Sequence, residues 1–219
     1  MNIKQYAIIP GIIQRSVWPF TRLLFPFFIH FKIEGFEHVA KLKTNFIIVS
    51  NHSSELDPIL IATCMPFFSR TLPLFFVGRD KAFYKELGWK GRLYGGTFFK
   101  MLGVFPAYAG LDDYPQALAH HVKLIKDGRS VCIFPSGKRN LRGERPVAKP
   151  GVGFLAHETK LPVIPVLIRG AEDTNVRAFF SRKKTVRLTF GAPIYSQDIL
   201  QESYQAAATE IMERIERLA

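Results

Sequence analysis

Cysteine is scarce in this chain of 219 residues: Cys64 and Cys132 are the only two, far apart and in apolar surroundings. A disulfide framework is thereby excluded, and the pair reads as reduced core thiols of a cytosolic protein. No His or Cys cluster has metal-ligand spacing, so no metal is expected. His120 and His121 are adjacent on a predicted helix, cannot share a face, and read as a surface pair. Acidic side chains are outnumbered, 18 against 30 basic, for a net charge of +12. That balance calls for an anionic partner: nucleic acid, an anionic membrane face or an acidic carrier. Zinc-finger spacing, RNP aromatics and a basic zipper are all missing, so nucleic acid is not expected. Repeats and low-complexity stretches are absent. So is an uninterrupted apolar run of the roughly 20 residues that a spanning helix needs. The best candidate, Tyr6 to Phe31, is broken by Arg15 and Arg22 and by Pro10, Pro19 and Pro26, and it lacks a signal-peptide cleavage site.

What remains is a folding sequence. Hydrophobic residues make up 47% and charged residues 22%, enough apolar material for a core of one large domain, with or without a small appendage. Phenylalanine is abundant, with 20 copies, which suits either a core or a surface facing acyl chains. Tyr6 to Phe31 is expected to form broken amphipathic helices lying in a membrane interface, apolar side down and arginines toward lipid phosphates. A buried helical hairpin is the competing reading. The chain accordingly divides into a membrane-associating helical segment, 1–31, and a second domain, 32–219.

Beyond that segment, strands and helices alternate. Strands are expected at Phe46–Ser50, Leu74–Gly78, Val104–Phe105, Ser130–Phe134, Val163–Ile168 and Val186–Phe190. Helices are expected at Pro58–Met65, Gly91–Leu102, Asp113–Lys126, Val152–Thr159 and Ser203–Leu218. This is an α/β fold, a mixed central sheet covered by helices.

Two stretches carry chemistry. In Asn51-His52-Ser53-Ser54-Glu55-Leu56-Asp57-Pro58 a histidine leaves the carboxyl end of a buried strand, where α/β folds place their ligands. An imidazole can take a proton from an alcohol, and a carboxylate on its other nitrogen fixes the tautomer and stabilises the imidazolium. The competing reading makes Asp57 an N-cap before a first-turn proline, with Ser54 in a capping box. The second stretch, Ile133-Phe134-Pro135-Ser136-Gly137-Lys138-Arg139, follows another buried strand and brings two cations to the same edge. Arg139 could clamp a phosphate or carboxylate, with Lys138 a point charge beside it; a solvated basic loop is the alternative. Ser136 is a poor candidate nucleophile, since Phe134 and Pro135 stand where a nucleophile elbow has glycine and its neighbour.

Together these residues resemble the PlsC-like glycerolipid acyltransferases of the 1-acylglycerol-3-phosphate type. His52 and Asp57 match the H-x4-D motif, Phe134 to Arg139 resembles F-P-E-G-T-R, and Leu161-Pro162-Val163-Ile164-Pro165-Val166 resembles V-P-I-V-P-V. Gly103-Val104-Phe105-Pro106 resembles the start of G-x-F-x-x-R, and Lys149-Pro150-Gly151 the K-P-G turn that often follows. The blocks stand in the family's order. The resemblance implies a base role for His52, an orienting role for Asp57, and substrate binding by Ser136, Gly137, Lys138 and Arg139. It implies acyl-CoA or acyl carrier protein as donor, a lyso-lipid acceptor, no cofactor, and a peripheral or monotopic place on the cytoplasmic membrane face. Two departures weaken the phosphate-acceptor half: Ser136 replaces the Glu of the third block, and Tyr108-Ala109 stands where the second block ends in Arg. A lyso-lipid with another head group, a lipid hydrolase, and a lipid-binding protein without catalysis are the rival expectations.

Overall fold

The computed structural model describes residues 3–79, 97–108, 113–137, 147–172, 185–199 and 203–219. Strands β1 (His30–Glu34), β2 (Ile47–Ser50), β3 (Phe75–Gly78), β4 (Val104–Pro106), β5 (Val131–Ile133), β6 (Val163–Arg169) and β7 (Thr185–Phe190) form one sheet in the order β1-β7-β6-β2-β5-β3-β4. Every neighbouring pair is parallel except β6 with β7. The mixed α/β fold expected from the sequence is therefore present.

The helices are α1 (Ile3–Phe28), α2 (Glu37–Ala40), α3 (Asp57–Cys64), α4 (Thr97–Met101), α5 (Tyr114–Lys126), α6 (Gly151–Thr159) and α7 (Tyr204–Glu216), with a 3-10 turn at Ser196–Asp198. Alternation along the strands sorts the core into two halves. Ile47, Val49, Val131 and Val163 pack beneath α5, α6 and α7, while Ile48, Cys132, Ile164 and Leu188 pack beneath α1, α2 and α3. Cys64 and Cys132 are free, buried thiols, and burial raises the pKa of both. Gly191, opposite Pro165 of β6, leaves room for the proline ring: a Cβ built there would come within 2.8 Å of it.

The N-terminal segment differs from expectation. It is one helix, α1, running through Pro10, Pro19 and Pro26. An internal proline costs about 3 kcal/mol or more, and bonds from the inner face of α1 to the body of the protein offset that cost. Gln14 Nε2 donates to Leu74 O and Leu102 O, its Oε1 accepts from Leu74 N, and Trp18 Nε1 donates to Met65 O at 2.7 Å. Arg15 was expected to face lipid. It turns inward and donates to Phe67 O, Ser69 O and Leu72 O, whereas Arg22 is exposed. Strand β1 was not expected at all, because its alternation of His30, Lys32 and Glu34 with Phe31 and Ile33 leaves no side chain fully buried.

The surface reading of the histidine pair is corrected as well. The buried stripe of α5 is wide, taking in Ala117, Leu118, His121, Leu124 and Ile125, and His121 is fully enclosed. Its Nε2 donates to Phe105 O at 3.2 Å. Burial, reinforced by the neighbouring His120, lowers its pKa to about 4. The unfolded chain takes up this proton near pH 6.5 and the folded chain only near pH 4, so stability falls as pH drops across that window. The loss attributable to His121 reaches about 3 kcal/mol at most. His121→Gln, which keeps a donor but cannot titrate there, is expected to flatten the melting temperature between pH 6.5 and pH 4. A variant as acid-sensitive as the parent would place the sensitivity elsewhere.

Candidate active site

All strands from β2 to β6 run the same way, so the residues after their carboxyl ends collect at one sheet edge. At the end of β2 the backbone ladder stops and the Asn51 side chain continues it. Asn51 Nδ2 donates to Ile168 O at 2.8 Å, and Ile168 N donates to Asn51 Oδ1 at 2.7 Å. The amide thus mimics one more strand residue on β6, and the chain is free to turn away from the sheet at His52.

His52 Nδ1 lies 2.9 Å from Asp57 Oδ2, with the histidine side chain 20% exposed and the carboxylate fully buried. The same oxygen accepts from Ser53 N at 2.7 Å and Ser54 N at 2.9 Å. Both amides precede Asp57 in sequence. A capping side chain would instead accept from amides inside the helix that follows, and α3 has no side-chain cap. Ser54 Oγ accepts from Leu56 N in a local turn. Asp57 is therefore a hydrogen-bond partner of His52 and does not cap α3. With an ionised carboxylate as acceptor, the proton of this bond sits on Nδ1, which leaves Nε2 its lone pair.

The second stretch meets the first through Phe134, which follows β5. Its ring stacks on the His52 imidazole, centroids 4.2 Å apart and planes at 21°. The ring fixes the rotation of the imidazole, and its face can also stabilise an imidazolium. The chain then turns tightly: Gly137 N donates to Phe134 O at 2.9 Å, and Gly137 has φ +63°. A Cβ there would lie 3.1 Å from Lys149 Nζ, while Arg79, following β3, donates from Nε to Gly137 O at 2.7 Å. Lys149 N in turn donates to Pro135 O. Ser136 is buried within this loop. Lys138 and Arg139, like Ala109, lie outside the described residues. Among the described residues, two basic side chains, Arg79 and Lys149, flank the loop. The sequence signal for Arg79 is its place just after β3, a strand that ends at the same edge. No group of described residues could hold a metal ion.

A histidine backed by a buried carboxylate at a sheet edge, beside a loop flanked by cations, is an arrangement with the chemistry that general-base catalysis needs. Residues 30–169 match the family described as Acyltransferase, and the chain belongs to that family. It is 26% identical over 180 residues to the 1-acyl-sn-glycerol-3-phosphate acyltransferase of Bacillus subtilis, covering 80% of this chain and 81% of that protein. It is 27% identical over 133 residues to a probable 1-acyl-sn-glycerol-3-phosphate acyltransferase of Mycoplasma genitalium, covering 59% of this chain. With the chloroplastic enzyme of the same name from Brassica napus it shares 29% over 157 residues and 71% of this chain. The matches span 46% of the Mycoplasma protein and 39% of the Brassica one. The fold is also that of the crystal structure of the 1-acyl-sn-glycerophosphate acyltransferase PlsC from Thermotoga maritima, with TM-score 0.68, 23% identity, and 95% of this chain and 80% of that one covered.

Replacing Asn51 tests how the histidine is presented. Asn51→Asp keeps an acceptor for Ile168 N but sets a carboxylate against Ile168 O, and should cost about 1–3 kcal/mol in chemical denaturation. A variant as stable as the parent would show that the amide does not carry the β2–β6 junction.

Proposed function

We propose that this protein transfers a fatty acyl chain from acyl-CoA or acyl carrier protein to the free hydroxyl of a lyso-lipid, 1-acylglycerol-3-phosphate in the first instance. The observation that carries the proposal is the His52–Asp57 pair, whose carboxylate oxygen is held by two preceding amides. In this mechanism His52 Nε2 takes the proton of the acceptor hydroxyl as its oxygen attacks the thioester carbonyl. The C–O bond forms, the carbon–sulfur bond breaks, and the proton passes from the imidazolium to the departing thiolate. Asp57 stays ionised and stabilises the imidazolium, and no acyl-enzyme is required. The related 1-acyl-sn-glycerol-3-phosphate acyltransferases support this acceptor class.

A different head group is favoured by one feature of the sequence: Tyr108-Ala109 and Ser136 depart from the family pattern at positions associated with the acceptor. Lys138 and Arg139 remain in the proposed substrate-binding set, beside Ser136 and Gly137. The outer face of α1 supports membrane work. Ile12, Phe20, Leu23 and Phe27 stand 56–65% exposed along it. Among the described residues no helix is long and apolar enough to cross a membrane. We assign α1 to peripheral attachment at the cytoplasmic face, with the net charge of +12 favouring anionic lipid.

Purified protein incubated with a labelled acyl thioester and a panel of lyso-lipids, read by mass spectrometry, should yield the diacyl product. Free fatty acid formed independently of any lyso-lipid would mean hydrolysis instead. His52→Ala should reduce transfer by at least about 10²- to 10⁴-fold while the protein still folds; turnover equal to the parent's would remove the base. Asp57→Asn can still accept the two backbone bonds but not stabilise an imidazolium, and is expected to lose about 10⁴-fold. The two losses should not add, since both residues serve one proton transfer. Arg139→Ala should raise the acceptor KM more than the donor KM, and an unchanged acceptor KM would make that loop a solvated surface.

A further inference from the structure

Phe68 is the most exposed large apolar side chain among the described residues, at 91%, in the connection between α3 and β3. Its segment is built rigidly. Arg15 donates to the carbonyls of Phe67, Ser69 and Leu72, Trp18 donates to Met65 O, and Ser69 N donates to Pro66 O. The Phe67 ring packs edge-on against Trp18 at 5.6 Å, and Phe68 stands edge-on to Phe67 at 4.9 Å. A phenylalanine presented to water on a segment bolted to α1 is poorly explained by folding alone, because its burial would be favourable.

On α1 the residue beside Arg15, Gln14, points about 100° away around the axis and binds Leu74 and Leu102. Leu102 closes α4, whose Phe98 and Met101 are 45% and 37% exposed. Three elements, α1, α4 and residues 66–71, thus present apolar side chains from one joined unit. They contain no acidic residue, while Arg22, Arg70 and Lys100 among them are exposed.

We propose that residues 66–71 form a second membrane-inserting element, with Phe68 entering the acyl region of an anionic bilayer and Arg70 meeting the phosphates. This rests on the reading that α1 lies on lipid, and it adds that the contact is broader than one helix. A second copy of the chain is the less suitable occupant. A two-fold contact sets the same patch against itself, which would bring Arg22, Arg70 and Lys100 toward their own counterparts, whereas anionic head groups complement them.

Phe68→Cys and Phe20→Cys, each labelled with nitrobenzoxadiazole, test the proposal on the full chain; Cys64 and Cys132 are buried and should not react. Vesicles of phosphatidylglycerol with phosphatidylcholine are expected to blue-shift both labels, and Phe68→Ser to weaken vesicle binding roughly tenfold. A shift at position 20 without one at 68 overturns this proposal and leaves α1 on the membrane. No shift at either position overturns the membrane reading and this proposal with it. A shift at 68 that appears without vesicles as protein concentration rises assigns the face to a second copy and overturns the lipid assignment.

Discussion

A carboxylate with no exposed surface must find its donors inside the protein, since an unpaired buried charge costs several kcal/mol. Asp57 finds three on one oxygen: the amides of Ser53 and Ser54 and the imidazole of His52. The amides require residues 52–56 to fold back over the first turn of α3. That fold-back is possible only because β2 ends at Ser50 and Asn51 locks onto β6. Strand end, asparagine bridge, turn and helix start therefore form one device, in which the histidine is oriented as a by-product of satisfying a buried charge. Asp57 Oδ1 and Ser53 Oγ have no hydrogen-bond partner among the described residues, which leaves a desolvation cost that the bonds on Oδ2 do not remove. Such a cost is common at functional sites.

Sheet order does the rest of the assembly. β5 lies beside β2, and the register pairing Val49 with Ile133 brings Phe134 level with Ser50, two residues before His52. The stacking of Phe134 on His52 follows from that register. One strand further, β3 delivers Arg79 to the same loop, and the Lys149 backbone closes it from the start of α6. Three stretches that are far apart in sequence, those after β2, β3 and β5, meet because parallel strands end on a common edge.

Much of this was legible in the sequence. The buried strands and capped helices were found within one or two residues, since their apolar runs and periodicities are strong; α5, for example, starts after Asp113, whose side chain accepts from Gln116 N. The His52–Asp57 pair was legible as a spacing, but spacing could not separate a helix cap from a partner of histidine. Only the direction of the two serine amides decides that. β1 escaped because an edge strand exposed on alternate residues carries a weak apolar signal, and its exposed His30, Lys32 and Glu34 suit an edge that must not pair further. Arg15 was misread for a related reason. An arginine in an apolar helix can serve lipid phosphates or three backbone carbonyls of its own protein, and composition does not distinguish them.

The tie between α1 and α3 links the two halves of the functional reading. Asp57 opens α3, and Thr63, near its other end, meets Thr21 of α1 at 2.9 Å. Helix α3 has 8 residues, which at about 1.5 Å each is roughly 12 Å. A short rigid rod therefore separates the histidine's partner from the helix proposed to lie on lipid. Ile59, in the first turn of α3, is 39% exposed. A lyso-lipid whose chain stays in the bilayer can lift its glycerol hydroxyl only a limited distance. An α1 free to move relative to α3 would leave the height of His52 above the membrane undefined, and productive encounters would be rare. The bonds from Arg15, Trp18 and Thr21 to the segment around α3 remove that freedom. On the proposed reading this is the use of the polar side chains on the inner face of an otherwise apolar helix: they set the height of His52 above the lipid.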